Sequence, residues 1–147
     1  MLASDLVGTW KLASWTRKLS GTGEELDAFG ADPRGFLSYA ADGHMVVLII
    51  RGDRNAPRGS PPADHEKISL YDSLWAYAGT YAVEEGKVIH NLEITSNQSW
   101  NGIQQTRFCK LEGRRLVLTT PMLKDPSDGR ESMHTIAWDK VGTESGP

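Results

Sequence analysis

Residues Leu6–Trp15 read LVGTWKLASW, an extended segment built around the triplet Gly8-Thr9-Trp10. Strand side chains alternate with period two, so Gly8 and Trp10 share a face. Glycine leaves room there and tryptophan fills a large volume beside it. That pairing suits the closed end of a small barrel, where one large aromatic plugs a tapering interior. The segment predicts a first strand from about Val7 to Lys18, with Trp10 and Trp15 on opposite faces.

The rest of the chain is consistent with a barrel. Its 147 residues form one domain in the simplest reading, long enough to bury a core without staples. With 39% hydrophobic and 24% charged residues the composition is that of a soluble globular protein. No apolar run approaches the roughly 18 residues of a membrane span. A net charge of -3 gives no basic footprint for nucleic acid. The single cysteine, Cys109, excludes an internal disulfide and suits a reducing compartment. Met1–Asp5 lacks the basic start of a signal peptide, so the expected location is the cytoplasm, with no membrane partner.

Phe36–Ala40 and His44–Arg51 flank Ala41-Asp42-Gly43, and Asp-Gly between two β-rich runs predicts a hairpin. The second of these runs is apolar on both faces, which predicts a cover on its outside. Gly52–Pro62 is too rich in Pro and Gly for regular structure and reads as a flap. From Asp64 to Ala78 the spacing of Ile68, Tyr71, Leu74, Trp75 and Ala78 predicts a helix, stopped by Gly79 and lying either across the barrel mouth or on the doubly apolar strand. Strands at about 80–84, 87–95, 100–111, 114–120 and 130–141 follow, joined by short turns and one Pro/Asp/Gly loop at 121–129; the tail 142–147 is expected to be disordered. The fold expected is all-β: an antiparallel up-and-down barrel of about eight strands with one helix inserted after strand three.

Several ordered segments resemble one family: LVGTWKLASW (6–15), FGADPRGFLSY (29–39), ADGHM (41–45), AYAGTY (76–81), IHNLEI (89–94), NQSWNGIQQTRF (97–108) and LVLTTP (116–121). Their series is similar to the lipocalin-like domain family of bacteria and fungi, a small calycin-type barrel. The resemblance implies that a basic side chain from the last strand crosses Trp10. Here Trp138-Asp139-Lys140 matches that piece, so Lys140 takes the role with Gly8 and Trp10, although a lysine does not stack as a planar guanidinium does.

In a barrel the interior is the site, and strand parity sorts the candidates. His90 shares a face with Val88, Leu92 and Ile94, and His134 shares one with Ile136 and Trp138, so both are expected inside. His44 falls with Val46, Leu48 and Ile50 on a strand whose parity is ambiguous, and Tyr81 falls with Val83. Gln105, Arg107 and Cys109 share one face of their strand; an inward Arg107 needs a polar partner or an anionic ligand, and the opposite parity stays open. Trp15, Trp75, Tyr77 and Trp100 offer aromatic faces for a planar molecule.

Three functions compete. Passive binding of a small hydrophobic or aromatic molecule would use His44, Tyr39, Tyr81, Trp100, Gln105 and Arg107. A cofactor-independent cyclase or isomerase acting on a secondary metabolite would use the same cavity, with His90 and His134 as acid or base and Arg107 stabilising oxyanion charge. A filled barrel with a purely structural or interaction role is the third. No His or Cys spacing supports a metal site, no Walker, Rossmann or nucleophile-elbow motif is present, and no cofactor is expected. The partner expected is a small ligand, with the protein a monomer or a homodimer.

Overall fold

A computed structural model describes residues 1–142; the tail expected to be disordered lies, from residue 143 on, outside them. The chain forms strands β1 (Gly8–Leu19), β2 (Glu25–Asp27), β3 (Arg34–Tyr39), β4 (His44–Ile50), β5 (Leu74–Glu84), β6 (Lys87–Thr95), β7 (Gln104–Glu112), β8 (Arg115–Thr119), β9 (Leu123–Lys124) and β10 (Glu131–Lys140). Two α-helices accompany them among the described residues, α1 (Ala3–Leu6) and α2 (Asp64–Asp72), with a single 3-10 turn at Gln98–Trp100. Eight strands run β1-β3-β4-β5-β6-β7-β8-β10, each antiparallel to its neighbours, and β10 pairs back with β1 to close the ring. Short β2 and β9 extend the edges of β1 and β10. Ring order follows chain order, as short turns between antiparallel strands require. This is the expected closed up-and-down barrel, with α2 between the third and fourth strands of the ring.

The N-terminal segment seals one end. Trp10 is 1% exposed, and its indole Nε1–H donates to the Leu6 carbonyl at 2.8 Å, tying the strand to α1 and burying Leu6 beneath the barrel. Lys140 reaches back from β10, donates from Nζ to the Val7 carbonyl at 2.7 Å, and holds its ammonium 4.8 Å from the Trp10 ring centroid. Gly8 makes the crossing possible: its φ is +134°, and a Cβ there would lie 2.9 Å from Lys140 Cε.

Three sequence expectations change. Trp10 and Trp15 do not take opposite faces. Leu12 pairs with Trp138 while Ser14 pairs with Ala137, so Ala13 is an extra, bulged residue that flips the parity of everything after it. Trp15, Arg17 and Leu19 are therefore buried on the same side as Trp10 and Leu12.

The predicted helix at 64–78 stops at Asp72, and Leu74–Ala78 belong to β5. Ile68 and Tyr71, two of the five residues of the supposed apolar stripe, are exposed, and α2 buries none of its residues. What overrides the helical spacing is the open edge of β4: Val47 pairs with Tyr77 and Ile49 with Trp75 across that edge. Gly79 is consequently mid-strand. It sits at a second irregularity, where Ala78 pairs with Ile94 but Gly79 with Leu92, and a Cβ on it would lie 1.8 Å from the Asn91 carbonyl oxygen.

The expected cover over the second hairpin strand is also missing among the described residues. In β4 it is Met45, Val47 and Ile49 that point into the core, leaving Val46 and Leu48 about half exposed on the outside.

Gly79→Ala tests the β5 assignment. Because the added Cβ meets backbone rather than a flexible side chain, the substitution should remove about 3 kcal/mol of unfolding free energy in urea titrations. A loss below about 1 kcal/mol, the usual cost range of changes at a helix end, would contradict it.

Candidate functional site

The end of the barrel opposite Trp10 is open. There a cavity of about 420 Å3 runs into the interior, within the size range of small-molecule sites. Its walls include Leu37, Val47, Ile49, Leu118, Ile136 and the rings of Trp15, Trp75, Trp100 and Trp138. The polar lining comprises Tyr77, His90, Gln104, Gln105, Thr106 and Arg107, together with Thr120, Lys124, Asp125 and His134. Trp15 stands edge-on to Trp75 at 5.3 Å between centroids, and Trp75 lies 4.4 Å from Trp100. These three rings also border a second space of about 270 Å3, flanked by Phe29 and by Tyr71 and Asp72 at the end of α2.

The bulge at Ala13 assembles the mouth. With Trp15 turned inward, its indole N–H donates to His134 Nδ1 at 2.9 Å. An indole N–H can only donate, so Nδ1 carries a lone pair and the ring's proton sits on Nε2, which donates to Asp125 Oδ2 at 2.9 Å. The same carboxylate oxygen receives Arg17 Nη1 at 2.9 Å, while Asp125 Oδ1 accepts from the Ser127 amide and hydroxyl. Arg17 further pairs with Asp128, whose carboxyl it holds well below the usual range. The loop from Pro121 to Arg130 is thereby tied down over the mouth. Burial keeps His134 below its ordinary pKa despite the opposing pull of Asp125. A second proton on His134 would have to face the Trp15 donor.

Deeper in, His90 is 2% exposed between two phenols. Tyr39 Oη lies 2.6 Å from Nε2 and Tyr77 Oη lies 2.7 Å from Nδ1. Burial, assisted by the charge of Arg107, pushes this histidine down to about 3, so the ring is neutral. Arg107 is itself buried and turned inward. Its Nη1 donates to the Thr106 carbonyl and its Nη2 to Gln105 Oε1 at 2.5 Å.

Of the residues singled out from sequence, His90, His134, Arg107, Gln105 and Trp100 line the cavity. Tyr39 is buried behind His90. Tyr81 sits farther toward the closed end, where its hydroxyl donates to the Ala40 carbonyl at 2.7 Å. His44 is on the outside, paired with Asp42 at 3.1 Å, because the face it shares with Val46 and Leu48 is the one that β4 turns to solvent. Gly8, Trp10 and Lys140 form the base and do not reach the cavity. The aromatic faces expected from Trp15, Trp75, Tyr77 and Trp100 also line it, whereas Arg17 and Asp125 were missed and Tyr77 was assigned to the helix. Tyr77 had a usable signal, the alternation Trp75, Tyr77, Gly79, Tyr81, Val83. Asp125 lies in a loop, where no periodicity marks it. Among the described residues no three His, Cys, Asp or Glu side chains converge as a metal site would need.

A pH dependence follows from His90. Its folded-state pKa of about 3 lies below the ordinary 6.5, so at mildly acid pH the unfolded chain binds a proton that the folded one does not. The stabilisation is complete above about pH 6.5 and is lost as pH falls toward 3, by at most roughly 1.4 kcal/mol per pH unit from this group. Urea titrations between about pH 6.5 and 4.5 should show that slope, reduced by about one proton in His90→Gln. An unchanged slope in the variant would mean that the ring titrates normally.

Comparison with known proteins agrees with the geometry. No protein of curated function matches the chain. Among solved structures it is similar to an uncharacterized protein from Bacteroides eggerthii DSM 20697, at 12% identity, covering 93% of this chain and 100% of that one with a TM-score of 0.45; so distant a likeness carries no functional argument. A family model described as a lipocalin-like domain matches residues 7–141, from the strand bearing Gly8 and Trp10 to just past Lys140. With the closed eight-stranded barrel, that match shows that the chain belongs to the lipocalin-like domain family.

Proposed function

We propose that this protein binds one small, largely apolar molecule with aromatic or polycyclic character inside the barrel. The carrying observation is the cavity of about 420 Å3, closed at the Trp10 end and open at the other, with four of the chain's tryptophans on its walls. Burying an apolar ligand there gains roughly 25 cal/mol for each Å2 removed from water, and the indole faces favour planar rings. The reading needs no cofactor, metal, nucleic acid or membrane, and it holds for a monomer or a homodimer.

In the second reading, a cofactor-independent cyclase or isomerase, the expected acid and base are both already hydrogen-bonded. Both nitrogens of His90 face tyrosine hydroxyls, and both nitrogens of His134 are engaged by Trp15 and Asp125. Proton transfer by either ring would first have to break those bonds. Turnover in this barrel would rest instead on substrate folding by the walls and on Arg107 at a developing negative charge.

Titration with 1-anilinonaphthalene-8-sulfonate, followed by tryptophan quenching and dye emission, tests the binding reading. Saturable binding at one site is expected, and Leu118→Trp, which narrows the cavity, should weaken it by about tenfold or more. Non-saturating emission, or unchanged affinity in the narrowed variant, would place the dye elsewhere and contradict the assignment.

A further inference from the structure

The cavity holds a cation without a carboxylate. Arg107 is 7% exposed and lines the interior, yet among the described residues it makes no ion pair; its guanidinium donates to a carbonyl and an amide oxygen and lies against the Tyr77 hydroxyl, none of which carries a charge. A guanidinium presents a fork of N–H donors, and one bond from each terminal nitrogen leaves the others available. The one carboxylate on the cavity wall, Asp125, is occupied on both oxygens by Arg17, His134 and Ser127. A buried charge this poorly compensated is costly unless an anion joins it.

The Tyr39–His90–Tyr77 chain adds a directed donor. Neutral imidazole has one N–H, so one tyrosine must donate to the ring and the other must accept from it. Tyr39 is 1% exposed, and its hydroxyl has no second partner among the described residues. Were it the acceptor, its own proton would be left unpaired in a dry site, a costly arrangement. Tyr39 therefore donates to Nε2, and Nδ1–H donates to Tyr77. The Tyr77 proton is then free, on a side chain that lines the cavity beside Arg107. Trp138 of β10, also on the cavity lining, has an indole N–H without a partner among the described residues. The interior thus offers donors and the Arg107 charge, with Lys124 a second cation on the lining.

We propose that the ligand is an apolar acid: a molecule whose carboxylate, or equivalent oxyanion, pairs with Arg107 and accepts the Tyr77 O–H, while its hydrophobic body lies among Trp15, Trp75 and Trp100. This deepens the binding reading and rests on it. The guanidinium and phenol read the head group, and the indoles read the shape of the remainder. His90 is a positioning residue that aims the Tyr77 proton into the cavity.

Matched pairs differing only in charge test this, naphthalene-2-carboxylate against its carboxamide and decanoate against decanamide, each followed by tryptophan quenching near neutral pH. At least one acid should bind about tenfold or more tightly than its amide. Arg107→Gln should bring that ratio to about one, Arg107→Lys should keep part of it, and Tyr77→Phe should lower the acid's affinity several-fold. Equal affinity for acid and amide in the unaltered protein, which needs no variant to fold, overturns the charge assignment and leaves the apolar binding site standing. A preference that survives Arg107→Gln also overturns it. Failure of all four compounds to bind overturns both readings.

Discussion

One extra residue in the first strand sets up the interior. Without the bulge at Ala13, period-two alternation would put Trp10 and Trp15 on opposite faces of β1, and the barrel could have a plug at its base or an aromatic at its mouth, but not both from this strand. With it, both indoles and Arg17 point inward. Trp10 then closes the base under Lys140, and Trp15 becomes the donor that fixes His134. Arg17 becomes the anchor for the acidic loop at the mouth. A bulge in an antiparallel pair re-aims side chains in this way at small cost to the ladder.

The polar groups inside follow one logic. A buried polar atom is tolerated when it is hydrogen-bonded, and nearly all those here are. His90 is held between two phenols, His134 between an indole and a carboxylate, and Asp125 among Arg17, His134 and Ser127. Each arrangement fixes a tautomer or an ionisation state, which stiffens the wall. Arg107 departs from the pattern because its charge has no opposite number. Where a fold leaves one such group incompletely compensated on the wall of an otherwise apolar cavity, function is the natural place to look for the missing partner.

Much of the architecture was legible beforehand. The Gly8-x-Trp10 triplet, the Asp42-Gly43 hairpin and the spacing of the later turns define the barrel through local rules that tertiary structure does not override. Parity placed His90 and His134 inside because β6 and the inner part of β10 are regular over those residues, whereas for Arg107 both parities of β7 stayed open until the barrel closed. The failures lie where regularity breaks. Trp15 was misplaced because nothing in ASW marks a bulge. Leu74, Trp75 and Ala78 satisfied a helical spacing by coincidence, while the competing alternation through Tyr77 and Gly79 needed the open edge of β4 to win. His44 was misread because both faces of its strand are apolar. Asp125 became visible only when the chain closed and brought its loop to Arg17 and His134.

The central claim is that both histidines serve as neutral, fixed structural groups, leaving Arg107 and Tyr77 to meet the ligand. The most direct test is nitrogen NMR of the two imidazole rings as pH is lowered from about 7 to about 5, a range that spans the ordinary histidine pKa. The expected spectrum shows His90 neutral throughout with its proton on Nδ1, and His134 near neutral pH with its proton on Nε2. Protonation of His90 above about pH 5, or a proton on its Nε2, would contradict the account, since Tyr77 would then point its hydrogen at the ring and not into the cavity.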